Sequence, residues 1–327
     1  MQRGVVSRRA FLKDSSLFTC GVLAGLALSE GCVPEKRQAS PDVPTEGPLS
    51  AAARNPRLGY RRLGRTGLMV SEIVLASHFS DPLTEPAWDR SAVSNVPVEV
   101  VKSRTEVVSR CIEHGINCVD VTCGRDALAC GAALKGRRGK MYVMADDAEY
   151  SMRQNRHRNS ASQTQSIESC LRKLGTDYLD VWRPQFKPLG GHRDVDLEMC
   201  VAVFEKARSE GKVRFLGMSS EDWTWMQHVV EEFPQYMVVC ASCPASSRPA
   251  APKSGTADPQ QGFFEAAKTK ETGVILTCLP GESSEAIGSV PSRVLVNPQV
   301  AAVAADLILP SDVDAVVQAL SESHATA

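Results

Sequence analysis

Apolar residues along this chain follow two alternating patterns. Short runs rich in β-branched and other apolar residues are separated by longer segments whose apolar positions recur every three to four residues. The runs Glu72 to Ala76, Asn117 to Val121, Met141 to Ala145, Tyr178 to Trp182, Val213 to Met218, Met237 to Ala241 and Val274 to Cys278 predict strands, with a weaker eighth at Val300 to Ala304. Between them, Val107, Val108, Cys111 and Ile112 share one helical face, as do Ile167, Leu171 and Leu174, and Val201, Phe204 and Ala207. Gly115, Gly175 and Gly211 follow these segments, where a left-handed residue turns a helix into the next strand. Repeated strand and helix units of this kind suit a (β/α)8 TIM barrel better than an open doubly wound sheet, with the weak eighth unit open to being incomplete. Two irregular stretches, Ser77 to Val101 and Pro244 to Gln261, follow strand ends and are expected to lie over the active face as lids or fillers.

The N-terminus departs from this rhythm. Ser7-Arg8-Arg9-Ala10-Phe11-Leu12-Lys13 resembles a twin-arginine export signal and precedes a moderately apolar run, Leu17 to Leu28, too short and too rich in Gly and Ser for a membrane span. Cys32 ends that run, and lipid attachment there, ordinary cleavage and an uncleaved anchor all remain open. Pro, Ala, Ser and charge without apolar period make 33–57 a linker. The chain therefore divides into a signal segment 1–32, a linker 33–57, a barrel 58–320 and a tail 321–327, with export to the periplasm or to a membrane anchor expected.

The chain has 327 residues, 43% hydrophobic, with a formal net charge of -1, which offers no electrostatic case for nucleic acid or an anionic membrane surface as partner. Contact with a membrane is expected only through the N-terminal segment or lipid on Cys32. The basic block Lys135 to Lys140 reads as a solvated loop. Most of the eleven cysteines sit in apolar contexts and read as small buried hydrophobes.

Several landmarks occur in order: Tyr60-Arg61-Arg62-Leu63-Gly64-Arg65-Thr66-Gly67-Leu68-Met69-Val70-Ser71, Gly115-Ile116-Asn117 leading to Asp120, Leu174-Gly175-Thr176-Asp177-Tyr178-Leu179-Asp180, and Gly211-Lys212-Val213-Arg214-Phe215-Leu216-Gly217-Met218-Ser219. Together they resemble the aldo-keto reductases. The resemblance covers residues 58 to 320 and implies a barrel capped at its base by an N-terminal β-hairpin. It also implies hydride transfer between NADP(H) and a carbonyl, with a tyrosine proton donor tuned by a lysine and a histidine, and an aspartate pairing the lysine.

Carried over residue by residue, that resemblance implies that only the aspartate is kept, as Asp120. Cys123 stands at the tyrosine, Asp146 at the lysine and Gln185 at the histidine. A thiol, a carboxylate and a non-titrating amide cannot repeat the same relay. With its lysine gone, Asp120 is expected to be a structural carboxylate, and Asp146 beside it would make a like-charge pair that raises one pKa or pushes the side chains apart. His192, farther along the same loop, is a weak candidate to replace the lost histidine. At the cofactor, Ser219 and Ser220 stand for a Ser-Asn pair, Ala241 for a glutamine and Thr277 for a stacking tyrosine, while Asp306 and Asp312 replace basic side chains expected near a phosphate.

Cys240 and Cys243 have the CxxC spacing of a redox disulfide, and Cys123, Cys243 and Cys278 fall at strand ends where thiolates hold soft metals, but no metal is expected. Trp182, Trp223 and Trp225 read as packing. These residues predict a catalytically degenerate, exported barrel with a binding or scaffold role and an unidentified ligand or protein at its mouth. No cofactor is expected, or NADP(H) if the family activity survives. The alternative is an active exported oxidoreductase whose nicotinamide cofactor is loaded before export.

Overall fold

The structure, a computed structural model, describes residues 54–76, 96–122, 124–187, 191–242, 259–278 and 291–326. The expected signal segment, Cys32, Cys123 and Cys243 lie outside these residues. No described helix is long and apolar enough to cross a membrane.

An antiparallel hairpin opens the described chain, with β1 (Tyr60–Arg62) pairing β2 (Met69–Ser71). Eight parallel strands follow: β3 (Ile73–Ala76), β4 (Cys118–Val121), β5 (Tyr142–Ala145), β6 (Leu179–Trp182), β7 (Val213–Ser220), β8 (Tyr236–Ser242), β9 (Gly273–Cys278) and β10 (Val300–Asp306). They close into a barrel, because β10 pairs with both β9 and β3. The eighth unit is therefore complete. Its run of alanines hid a strand that is almost wholly buried, where small side chains let neighbouring elements approach.

Helices α1 (Val98–Glu113), α2 (Gly124–Leu134), α3 (Ser160–Leu174), α4 (Asp194–Ser209), α5 (Trp223–Glu232), α6 (Pro259–Thr269) and α7 (Pro310–Thr326) connect or follow the strands. Two expected irregular stretches are shorter than the sequence suggested, since α1 already begins at Val98 and α6 at Pro259. Both starts carry a proline at or just before the first helical residue, a position where its missing N–H costs nothing. The last helix also runs on through the residues assigned to the tail, and His324 near its end lies 3.0 Å from the buried Glu72 carboxylate.

The core has two layers. Leu63, Leu68 and Val70 of the hairpin join Val74, Cys118, Met144, Val181, Val238 and Ile275 in a cluster inside the barrel, so the hairpin plugs its base. The opposite strand faces, including Val119, Val143, Trp182 and Val239, pack against the helices. Gly64 lets the hairpin lie down on the barrel: its φ is +52°, and a Cβ there would sit 2.2 Å from the Gly273 nitrogen. The Asn117 side chain clasps the same region, accepting from Ser71 N–H and donating to the Met69 carbonyl.

Arg137 and Arg138, placed in a solvated loop by the sequence, are instead bonded into the base. Arg138 donates to the Asp180 carboxylate at 2.9 Å and to the Tyr178 carbonyl, while Arg137 donates to the Ala133 carbonyl. All six free cysteines described are buried, as expected of small hydrophobes.

Candidate active site

Strand pleating decides which rim residues face the mouth. On β4, Cys118 points into the barrel and Val119 out, so Asp120 points in; on β6, Val181 points in and Trp182 out, so Arg183 just beyond the strand points in. The two meet. Arg183 donates from Nε at 3.0 Å and from Nη2 at 2.7 Å to the same Asp120 oxygen, Oδ1, with side chains only 3% and 1% exposed. Burial alone would lower the arginine's pKa, but Asp120 beside it, with Cys240 and Asp146 nearby, holds it above the usual value.

Asp120, expected to be a structural carboxylate once its lysine is gone, therefore has a cation after all. That cation comes from the end of β6 rather than β5, one strand around the barrel. Arg183 belongs to none of the motifs that mark the family, and the sequence signal for it is the strand alternation, which two residues past the inward Val181 places it on the mouth side.

Asp146 does not pair with Asp120. Its carboxylate turns toward α3, accepting from Ser166 Oγ at 3.0 Å and from the Gln185 backbone N–H at 3.1 Å. Its pKa is pushed up to about 7, first by burial and then against the pull of Arg183. The expected upward shift thus has a different cause, since the like charge acting on it is its neighbour Asp147, not Asp120. Asp147 is itself held by Lys173 at 2.7 Å.

Gln185 forms an isolated parallel bridge to Ser219, which fixes the loop after β6 against β7. Its side chain lines the mouth. His192 does not replace the missing histidine: its Nε2 accepts from the Lys187 N–H at 2.9 Å, and its ring packs edge-on against Phe186 and beside Trp225. Burial, aided by Arg158, drives its pKa down to about 4, so it is a neutral packing group.

A cavity of about 80 Å³ opens at this mouth, lined among others by Asp120, Arg183, Gln185, Ser219, Ser242 and Thr277. The residues that the resemblance places around the nicotinamide are Ser219, Ser220, Ala241 and Thr277, all of them on the cavity wall. Ser220 Oγ is already used, donating to the Lys187 carbonyl and accepting from the Asp222 N–H. Ala241 and Thr277 line the cavity where a glutamine amide and a tyrosine ring would stand. Where a phosphate would approach the start of α7, the Asp312 carboxylate already accepts from Ile308 and Leu309 N–H at 2.9 and 2.8 Å.

Cys240 is buried beside this site with its pKa raised to about 12, chiefly by burial. Among the described residues no group of three potential metal ligands converges. Trp182 is fully buried, Trp225 packs on Phe186 and Trp223 on Phe263, so all three tryptophans are packing residues.

The architecture is shared with solved structures. PA4992 of Pseudomonas aeruginosa, which carries a provisional aldo-keto reductase assignment, superposes with a TM-score of 0.61 at 16% identity, over 84% of this chain and 99% of its own. Aldo-keto reductase AKR11C1 from Bacillus halodurans gives 0.58 at 19% identity, over 80% and 91%. An aldo-keto reductase from Klebsiella pneumoniae in complex with NADPH gives 0.55 at 16%, over 82% and 93%. No match was found among the curated proteins. The sequence profile of the Aldo/keto reductase family matches residues 102–278, more than half of the chain. With its hairpin-plugged barrel and Asp120 at the end of the second barrel strand, this chain belongs to the aldo/keto reductase family.

Proposed function

We propose that this protein is an exported aldo/keto reductase barrel that no longer transfers hydride and serves as a non-catalytic binding module. The observation that carries this reading is the Asp120–Arg183 pair. In the family resemblance, the aspartate partners a lysine that tunes a proton donor. An arginine holds its proton through the whole working pH range, so it supplies fixed charge and no proton relay. His192 is locked in packing, Gln185 does not titrate, and Asp146 is bound to α3 away from the cavity. The Asp312 cap and the committed Ser220 hydroxyl argue against NADP(H) as a resident cofactor.

Export rests on Ser7-Arg8-Arg9-Ala10-Phe11-Leu12-Lys13. A mobile nicotinamide pool is not expected outside the cytoplasm, which fits a barrel without a reductase relay.

The experiment is an NADPH oxidation assay on purified protein with a panel of aldehydes and ketones. The expected rate equals that without carbonyl. Carbonyl-dependent oxidation that disappears in Asp120→Asn would restore the reductase reading. For export, a reporter fused behind residues 1–32 is expected to leave the cytoplasm, and to stay there when Arg8 and Arg9 are both changed to Lys; export that ignores this change contradicts the twin-arginine route.

A further inference from the structure

Arg183 is a buried guanidinium with three of its five N–H groups unused by the described bonds. Of its five N–H groups, the described bonds use Nε–H and one Nη2–H, both toward Asp120 Oδ1. None of the described bonds uses Nη1 or the second Asp120 oxygen, Oδ2. Both residues line the same cavity at the barrel mouth.

We propose that this mouth binds a small 2-hydroxycarboxylate, with its carboxylate end-on against the Nη1–Nη2 edge of Arg183 and its hydroxyl donating to Asp120 Oδ2. The proposal rests on the non-catalytic reading and names the ligand class of that site. A guanidinium has two edges that accept a carboxylate in bidentate fashion, and Asp120 occupies only the side-on one. The end-on edge remains. A plain carboxylate placed there would meet the open oxygen of Asp120, a second acceptor, without a proton between them. A neighbouring hydroxyl supplies that proton, so both open groups are satisfied by one ligand. The cavity, at about 80 Å³, has room for several waters or one small organic ion. Ser219, Ser242 and Gln185 add neutral donors and acceptors around it. Since Asp120 already neutralises Arg183, and Glu221 pairs Arg153 on the rim, no surplus positive charge draws anions unselectively.

Calorimetric titration of the full chain with glycolate and with acetate tests this. The two ions match in charge and nearly in size and differ in the hydroxyl. Glycolate is expected to bind saturably and about tenfold tighter than acetate, as one charge-assisted hydrogen bond implies. Arg183→Lys keeps the charge and the Asp120 pair but lacks the fork, and should weaken glycolate about tenfold. Ser242→Phe, which fills the cavity from the strand end, should abolish binding, with circular dichroism reporting that both variants remain folded. No saturable glycolate binding, equal binding of acetate, or unchanged binding in a folded Ser242→Phe would overturn the proposal. NADPH-dependent carbonyl reduction would overturn the non-catalytic reading instead, whatever glycolate does, so the two failures are told apart.

Discussion

Changing Arg183 to Met should destabilise the barrel by an amount set by the Asp120 carboxylate it leaves behind. Met fills much of the arginine's stem volume, so the main loss is electrostatic. Asp120 is 1% exposed, too little for water to solvate its charge fully. Its least costly escape is to take up a proton. From a reference pKa near 3.9, holding a carboxyl neutral at pH 7 costs about 4 kcal/mol, at 1.36 kcal/mol per unit, and at pH 5 only about 1.5 kcal/mol. The first figure lies inside the range of about 3–5 kcal/mol typical of breaking a buried ion pair from one side. Urea unfolding of wild type and Arg183→Met at both pH values, followed by tryptophan fluorescence, reads the difference directly. The double variant with Asp120→Asn should recover most of the loss, because it removes the stranded charge. A loss below about 1 kcal/mol at pH 7, or one equal at the two pH values, would refute the reasoning.

The other groups at the rim make separate predictions. Asp146 has a folded pKa raised to about 7, so its stabilising contribution is complete below pH 4 and is lost as pH rises through 7; Asp146→Asn should stabilise the protein by about 2 kcal/mol at pH 8 and hardly at pH 4, and equal effects at both would contradict the shift. His192 has its pKa lowered to about 4, so its contribution is complete above its unfolded value and fades as pH falls toward 4; its ring NMR shifts should stay those of neutral imidazole at pH 5.5, and a midpoint near 6.5 would show a solvated ring. Gly131→Ala would place a Cβ 2.6 Å from the Leu174 carbonyl oxygen, where backbone meets backbone and cannot swing aside; a loss of about 1–3 kcal/mol by urea unfolding is expected, and a neutral result would mean α2 and α3 shift apart freely.

The barrel was legible because its signals are local. Apolar runs such as Val213 to Met218 exceed a strand's needs, and glycines such as Gly115 at φ +80° and Gly175 at φ +61° close helices where the sequence placed them. The eighth strand was faint because β10 fills its buried faces with alanines and two valines, a composition that suits a helix as well. The site was legible only in part. Asp120 could be placed from its motif, but its partner lies two strands and more than sixty residues away, and contacts across a barrel are fixed by closure and pleat rather than by sequence spacing. Asp146 shows the converse: its position in the chain suggested the mouth, but the backbone leaves the strand at Ala145, and the carboxylate finds Ser166 and an amide instead. Buried carboxylates go to the nearest donors.

Titration of the purified chain with NADPH, read by quenching of tryptophan fluorescence, tests most directly whether the fixed-charge mouth has displaced the family's cofactor chemistry. No saturable quenching is expected in wild type. Saturable binding in the micromolar range, competed by NADP, would show that the Asp312 cap and the Arg183–Asp120 pair leave the dinucleotide site intact and would contradict the non-catalytic reading.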